Sequence, residues 1–521
     1  MVLLHLECLT ALVGDHPTHR LALLSVFSIL SYFIIKRVIS SLALGMAYKA
    51  NHCQRPPKYP HKDPIFGLDF IFDSITGLRT GRLLDTQAGH FRRAGANTFY
   101  TWVLGRQAIV TMEPENIKAI LATNFKDYMI GGRKDILGSL LGNGIFVLDG
   151  EEWAHSRALL RPNFVRDQLA DLDMFERHIQ ELFHVLPRDS SVVELQQLLL
   201  RFTMDSATEF LFGHSTSTLT DATAADEEFR EALTFSLRSL SKRIQRGPLN
   251  QFLPRETAEE LRAHKTCRDY VNIFVDQAMG LGEKTGSGAT EGGSDEETGR
   301  YYFLKELIRA FDDKERICDE LLSILLAGRD TTAALLSNVF HVLSRRPDLW
   351  HKLRNEVQDF SGNPPSYAQL RNLRFSKYII NETLRLYPPI AINSRKAVRD
   401  TILPTGGGPN GTSPIFIPKD TRVLYNTRSM HRREDFYGPD ALEFRPERWE
   451  TERHGWEYLP FNGGPRICLG QQYALTESIY VMVRIAQEFS SIETVDGSPW
   501  KEDFLLTVMN KNPVYCKLTR S

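Results

Sequence analysis

The ten residues from Phe461 to Gly470, FNGGPRICLG, constrain this chain more than any other stretch. Cys468 is followed by QQYALTESIYVMVRIAQEF, which is apolar at helical spacing to about Phe489. The cysteine therefore sits just before or at the start of a helix. There, unpaired backbone N–H groups and the positive dipole end favour a thiolate. Gly463, Gly464 and Gly470 permit tight turning and close approach of backbone to a flat ligand. Arg466, two residues from the sulfur, is placed to pair with a carboxylate of that ligand. An anionic sulfur, an adjacent cation and a glycine-framed pocket suit haem with an axial thiolate. The other cysteines, Cys8, Cys53, Cys267, Cys318 and Cys516, show no C-x-x-C spacing, which argues against a common zinc site. They are too sparse for a disulfide scaffold and read as small buried hydrophobes.

A chain of 521 residues that is 42% apolar can bury a sizeable core. Its 63 Lys and Arg against 64 Asp and Glu give no electrostatic case for a nucleic-acid partner. Residues 21–35, LALLSVFSILSYFII, carry no charge. They span only about 22 Å as a helix, but with Lys36 and Arg37 snorkelling a helix over 21–44 crosses a bilayer. Arg20 alone precedes the run, whereas Lys36, Arg37, Lys49, Arg55 and Lys58 follow it, which orients the body to the cytoplasm and argues against a cleaved signal peptide. The expected organisation is an N-terminal segment, 1–20, without a clear place, an anchor, 21–44, a proline-rich spacer, 45–64, and one catalytic domain, 65–521. Prolines in RPPKYP, residues 55–60, make the spacer stiff.

Helical patterns dominate from about 80 to 350, and helical periodicity returns after Gly470. Residues 280–299 are rich in Gly, Ser and acids and read as a flexible surface loop. Between about 391 and 425, Val, Ile and Thr alternate with Gly-Pro clusters, which predicts short strands and turns. The fold class is mainly α with a small β lobe.

Three further segments carry candidate chemistry. Asp312 to Arg346 reads as one long helix, started by Asp312 with Glu315 and ended by Pro347. Its centre, AGRDTT (327–332), contains Gly328, Asp330, Thr331 and Thr332, all poor helix formers, so a local break is expected there. Thr331 can hydrogen-bond a small polar ligand such as dioxygen, and Asp330 can relay protons. Glu382 and Arg385 in NETLRLYPP are i,i+3 neighbours on a helix that Pro388 and Pro389 end. Trp153 and Arg157 in EEWAHSRALL share a face at i,i+4. Taken alone, such pairs are usually solvated surface features.

The spacing F-x-x-G-x-R-x-C-x-G, here Phe461, Gly464, Arg466, Cys468 and Gly470, resembles the haem-binding signature of the cytochrome P-450 family. The resemblance extends to A-G-x-D-T-T and E-x-x-R, and it covers essentially everything beyond the anchor. It implies the cytochrome P-450 fold and heme b with Cys468 as the axial iron ligand. It implies Phe461 packed on that side of the haem, and Asp330 and Thr331 in proton delivery. It makes Glu382 and Arg385, with Arg448 rather than Arg445 from FRPERW, a buried structural brace. It assigns Trp153, Arg157, Arg395 and Arg466 to the haem propionates. FNGGPRICLGQQYALTE, ILLAGRDTTA and PPKYPHKDPIFGLD resemble the fungal alkane- and fatty-acid-hydroxylating branch most, although Ile390-Ala391-Ile392 departs from its pattern after the proline pair. The implied activity is a monooxygenase acting on an apolar substrate, hydroxylating a long alkyl chain at or near its end. The alternative is oxidative tailoring of a fungal secondary metabolite. Rival classes are a haem-thiolate isomerase or dehydratase, and a haem-binding protein without turnover. Implied partners are NADPH-cytochrome P-450 reductase, cytochrome b5 and membrane lipid. The implied location is the endoplasmic reticulum membrane, single-pass, with the body cytoplasmic.

Overall fold

The computed structural model describes residues 41–164, 172–247, 256–280 and 303–521 without interruption, with scattered positions from 25 to 39 and at 250 and 253. The expected anchor, apart from its last residues 41–44, lies almost wholly outside the described residues, as do 1–20 and nearly all of the acidic Gly-Ser stretch. Among the described residues no helix is long and apolar enough to cross a membrane.

The body is built on one long helix. Five helices position the site: α1 (Leu68–Thr80), α2 (Leu195–Phe212), α3 (Ala224–Arg246), α4 (Lys314–Leu343) and α5 (Gln471–Glu488). The 30 residues of α4 span roughly 45 Å, enough to cross the domain. The first-turn cap is Asp313, not Asp312: its carboxylate accepts the N–H of Glu315 at 3.0 Å. The helix runs unbroken through AGRDTT, against the expected break. Thr331 instead donates its hydroxyl back to the Ala327 carbonyl at 2.6 Å, one turn earlier, which satisfies the side chain within the helix.

The apolar residues of α4 divide between two cores. Ile317, Cys318, Leu321, Leu322 and Leu325 join one, with Phe229, Val271 and Phe303. Leu335, Leu336, Val339, Phe340 and Leu343 join the other, with Phe202, Trp350 and the face of α5. AGRDTT lies at the seam between them, where polar side chains displace no packing.

A five-stranded sheet forms the small lobe. Its strands are β1 (Thr98–Val103), β2 (Arg106–Thr111), β3 (Tyr128–Met129), β4 (Ile392–Ala397) and β5 (Arg422–Asn426), in spatial order β1-β2-β5-β4-β3. Strands β2 and β5 are parallel, and the other pairs are antiparallel. The hairpin β1–β2 interrupts the region read as helical. Its TFYTWV and RQAIVT arms are β-branched and aromatic, and Leu104 and Gly105 both take positive φ at the turn.

The segment read as a spacer is part of the body. The N–H of Tyr59 donates to the Tyr100 carbonyl at 2.9 Å, and that of Tyr100 to Pro57 at 3.0 Å. Tyr59 is fully buried against His61, Phe70, His90 and Phe99. Prolines suit this edge position because they need no ladder donor. Tyr48 is also buried, so the helical turn before the prolines is docked too.

Candidate active site

Gly470 caps the start of α5, and Cys468 lies two residues ahead of the cap. The loop before it is held from several sides. The N–H of Cys468 donates to the Phe461 carbonyl at 3.0 Å, and Asn462, at φ 63°, donates its amide to the Arg466 carbonyl at 3.3 Å. The hydroxyl of Tyr425 on β5 donates to Asn462 Oδ1 at 3.1 Å. Gly464 is required by its neighbours: a Cβ there would stand 1.8 Å from the Leu121 carbonyl oxygen. A Cβ on Gly470 would meet nothing closer than Phe164 at 3.7 Å, so that glycine leaves room at the sulfur.

The sulfur of Cys468 is enclosed by the fold yet accessible, because the space it faces lies inside the protein. That space is a cavity of about 1990 Å³. Ligand pockets commonly run about 300–1,000 Å³, so this one has room for a large flat group and a second guest. Burial pushes the Cys468 thiol up, and the Gly470 N–H and the Arg157 charge pull it down. The buried thiols of Cys267, Cys318 and Cys516 are pushed up to about 12 by desolvation and face no such space.

Four of the arginines that line this cavity stand close to one another near the cysteine loop: Arg133, Arg157, Arg395 and Arg466. Arg157 donates to the Ile467 carbonyl at 2.8 Å, which ties it to the cysteine loop. Arg466 stacks over Trp153 at 4.2 Å and pairs with Asp149 at 2.9 Å. Arg395 lies over Tyr425 and donates to the Ser394 carbonyl at 2.8 Å. Arg133, on no motif, donates to Asn393 Oδ1. One carboxylate, Asp149, sits among the four. Burial, with mutual repulsion, pushes Arg466 down to about 9 and Arg133 to about 10. Buried cations in this state call for anions. Two carboxylates arriving with a flat ligand would supply them, so the residues present fit a haem.

Above the sulfur, Ala327, Gly328 and Thr331 of α4 form part of the cavity wall. Asp330 does not: it is buried behind the wall, 3.4 Å from Arg329, with its carboxyl pushed up chiefly by burial. Ile390 and Ile392 line the cavity, whereas Ala391 turns away to pack with Leu84 and Val508. Two of the three residues of this segment thus form apolar wall.

Behind the cysteine loop, Glu382 and Arg385 form a two-pronged pair at 2.8 and 2.9 Å. Arg448 reaches the same carboxylate at 3.0 Å, and Trp449 donates to it at 3.0 Å. Arg445 contributes only its backbone N–H to Glu382, and its side chain turns to Asp440.

The cytochrome P-450 family profile matches residues 74–518. The chain belongs to the cytochrome P-450 family. A cytochrome P-450 monooxygenase of Aspergillus japonicus, himC, is 52% identical over 89% of this chain and 84% of its own length. Another of Fusarium heterosporum, fsdH, is 47% identical over 93% of the chain and 86% of its own length. Cytochrome P-450 52A3-B of Candida maltosa is 41% identical over 88% of the chain and 90% of its own length. This cytochrome P-450 is an oxidoreductase that uses haem held by a cysteine thiolate. As a family monooxygenase it draws electrons from a redox partner and acts on an apolar substrate.

Two groups at this site were not singled out from the sequence: Arg133, and Asp149, which accepts from both Arg466 and the Ile130 N–H. The only local signal for Arg133 is its place after the turn at Gly131-Gly132, with φ 66° at Gly131.

Proposed function

We propose that this cytochrome P-450 hydroxylates a long alkyl chain, a fatty acid or alkane, at or near its end, with Cys468 as the iron ligand. The observation that carries the ligand assignment is the accessible sulfur on a cavity where four under-compensated arginines cluster near the cysteine loop. When bound, the haem iron supplies dioxygen activation and insertion of one oxygen atom into a C–H bond. The chain's own groups do the rest. Cys468 anchors from below, with the Gly470 N–H directed at its sulfur. Phe461 packs on the same side, and Trp153, Arg133, Arg157, Arg395 and Arg466 hold the propionate edge. Thr331 presents its hydroxyl in the wall, and Asp330, whose carboxyl burial pushes up, stands one residue behind as the proton source. Ile390 and Ile392 exclude water from the alkyl chain. Glu382, Arg385 and Arg448 keep the cysteine loop in place without touching the reacting atoms.

The resemblance to the fungal alkane- and fatty-acid-hydroxylating branch supports the chain-end reading, as does a cavity wall of isoleucines. Each buried methylene contributes about 0.8 kcal/mol, which favours long chains. A cavity of about 1990 Å³ also admits a bulkier metabolite carrying an alkyl arm, the second reading. Residues 21–44 serve as a single anchor in the endoplasmic reticulum membrane, with the body, which takes in the docked segment 45–64, on the cytoplasmic side. The electrons come from NADPH-cytochrome P-450 reductase, with cytochrome b5 as a further donor. Because Tyr48 is packed into the body, deletion of residues 1–40 is the truncation that releases the protein from membranes without unfolding it. The test of the activity is reconstitution with the reductase, NADPH and a series of alkanes and fatty acids. Terminal or near-terminal alcohols support the proposal. Turnover confined to rigid polycyclic compounds would overturn the chain-end reading.

A further inference from the structure

Glu320 on α4 is fully buried and is not part of the cavity wall. Its carboxylate is shared by three segments. One oxygen accepts the N–H of Ile145 at 2.9 Å. The other accepts the Ser156 hydroxyl and pairs with Arg316 at 2.9 Å. The neighbouring Asp319 accepts the N–H of Asn143 at 2.6 Å and pairs with Arg268 at 2.7 Å. The loop between these contacts lies tight against α4: a Cβ on Gly144 would stand 2.0 Å from the Ser323 hydroxyl oxygen.

The segments held in this way carry residues of the candidate active site. Ile145 and Phe146 line the cavity. Leu148 and Asp149 follow, and both accept from the Arg466 guanidinium, at 2.7 and 2.9 Å. The helix Gly150–Leu160 starts directly after them and carries Trp153 and Arg157. Little apolar surface fixes the rotation of that helix: of its 11 residues only Trp153, Ser156 and Leu160 are buried. The Ser156 hydroxyl goes to Glu320. Trp153 and Ser156 are i,i+3 neighbours and Arg157 is next in sequence, so the Ser156–Glu320 bond sets the direction of both.

We propose that Glu320 is a positioning residue for the haem. Through Ser156 it fixes the rotation of the helix Gly150–Leu160, and through Ile145 it holds the loop that leads to Asp149. Trp153, Arg157 and Arg466 then meet the haem carboxylates together. The role rests on the assignment of Trp153 and Arg157 to those carboxylates. The position requires an acceptor for two donors that come from different segments, a backbone N–H and a hydroxyl. Glu382 supports the cysteine loop, and Glu320 supports the groups that hold the haem carboxylates. Neither acid touches the reacting atoms.

The experiment measures transfer of haem from the loaded full-length protein to an acceptor protein. Ser156→Ala speeds transfer about five-fold and Glu320→Leu roughly ten-fold, with the thiolate-type carbon monoxide band retained. Glu320→Gln still accepts from Ile145 and still bonds Ser156, so it stays near the native rate. Arg157→Gln is itself faster than the native protein, and in that background Ser156→Ala adds less than it does alone, because its effect passes in part through Arg157. Unchanged transfer in both Ser156→Ala and Glu320→Leu would overturn the proposal. Full additivity of Ser156→Ala with Arg157→Gln would also overturn it, since that is the mark of general support to the fold. If Glu320→Leu yields no folded protein, Ser156→Ala decides alone. An Arg157→Gln variant that keeps haem as the native protein does would instead overturn the assignment of Arg157 to the haem carboxylates.

Discussion

Two groups of buried arginine stand within this molecule, and they are treated in opposite ways. In the brace, Arg385 and Arg448 are fully buried and share the Glu382 carboxylate. Their remaining N–H groups find the carbonyls of His431, Ala441, Glu443, Tyr437 and Asp440. At the cavity, of Arg133, Arg157, Arg395 and Arg466 only Arg466 pairs with a carboxylate, that of Asp149, and burial depresses the guanidinium of three of the four. A buried charge whose partners are all supplied by the chain holds structure in place. A set of buried charges left short of anions marks where an anion from outside belongs.

Breaking the brace gives the largest effect. Glu382→Ala leaves two guanidiniums buried without their carboxylate, and loss of about 3–5 kcal/mol is expected. The expected result is no soluble haem protein on expression. Normal yield and haem content would show that the brace does not support the cysteine loop.

Next comes a pH effect on two buried carboxyls that belong to neither arginine group. Burial raises Glu477 and Glu502 to about 7, from an ordinary 4.5. The folded chain keeps protons there that the unfolded chain gives up. Stability is therefore full below about 4.5 and falls as pH rises through about 7, by about 3 kcal/mol for each group. Thermal melts across pH 5 to 8 (on the order of the window these shifts define) should show the fall, and Glu477→Gln should remove about half of it. A melting temperature independent of pH in the native protein would contradict the assignment.

Sharpening the comparison takes a change at the cavity. Arg133→Met removes an under-compensated cation, so the haem-free protein should gain about 1 kcal/mol while the loaded protein releases haem faster. Calorimetry and haem transfer to an acceptor protein measure the two. Loss of stability in both states would mean that Arg133 behaves like the brace.

The brace and the cysteine loop were legible in the sequence because their chemistry is local. Glu382 and Arg385 are one helical turn apart, and Phe461, Arg466 and Cys468 sit at fixed spacing on one loop. The central helix was legible from its end signals, Asp312 with Glu315 and Pro347, but its continuity through Gly328 and Asp330 was not. There the packing of two cores on either side of the seam outweighs local propensity. The β1–β2 hairpin lies hidden in a stretch where helical patterns dominate, and the proline segment reads as a stiff spacer, because their places are set by pairing, of β2 with β5 and of Tyr59 with Tyr100, and not by local pattern. The cluster at the cavity was only partly legible: Arg133 reaches Asn393 across 260 positions of sequence.

Thr331→Ala should have the smallest structural effect, since the wild-type hydroxyl bonds only within its own helix. Haem content should be unchanged, while a larger share of NADPH is spent on peroxide. Full coupling of NADPH to product would remove Thr331 from proton handling.

The central claim is that the Cys468 sulfur holds the haem iron, and the carbon monoxide difference spectrum of Cys468→Ala tests it most directly. The native protein should give a thiolate-type band, and the variant, whether it retains haem or not, should give none. A thiolate-type band from the purified variant would place the ligand at another cysteine and contradict the account.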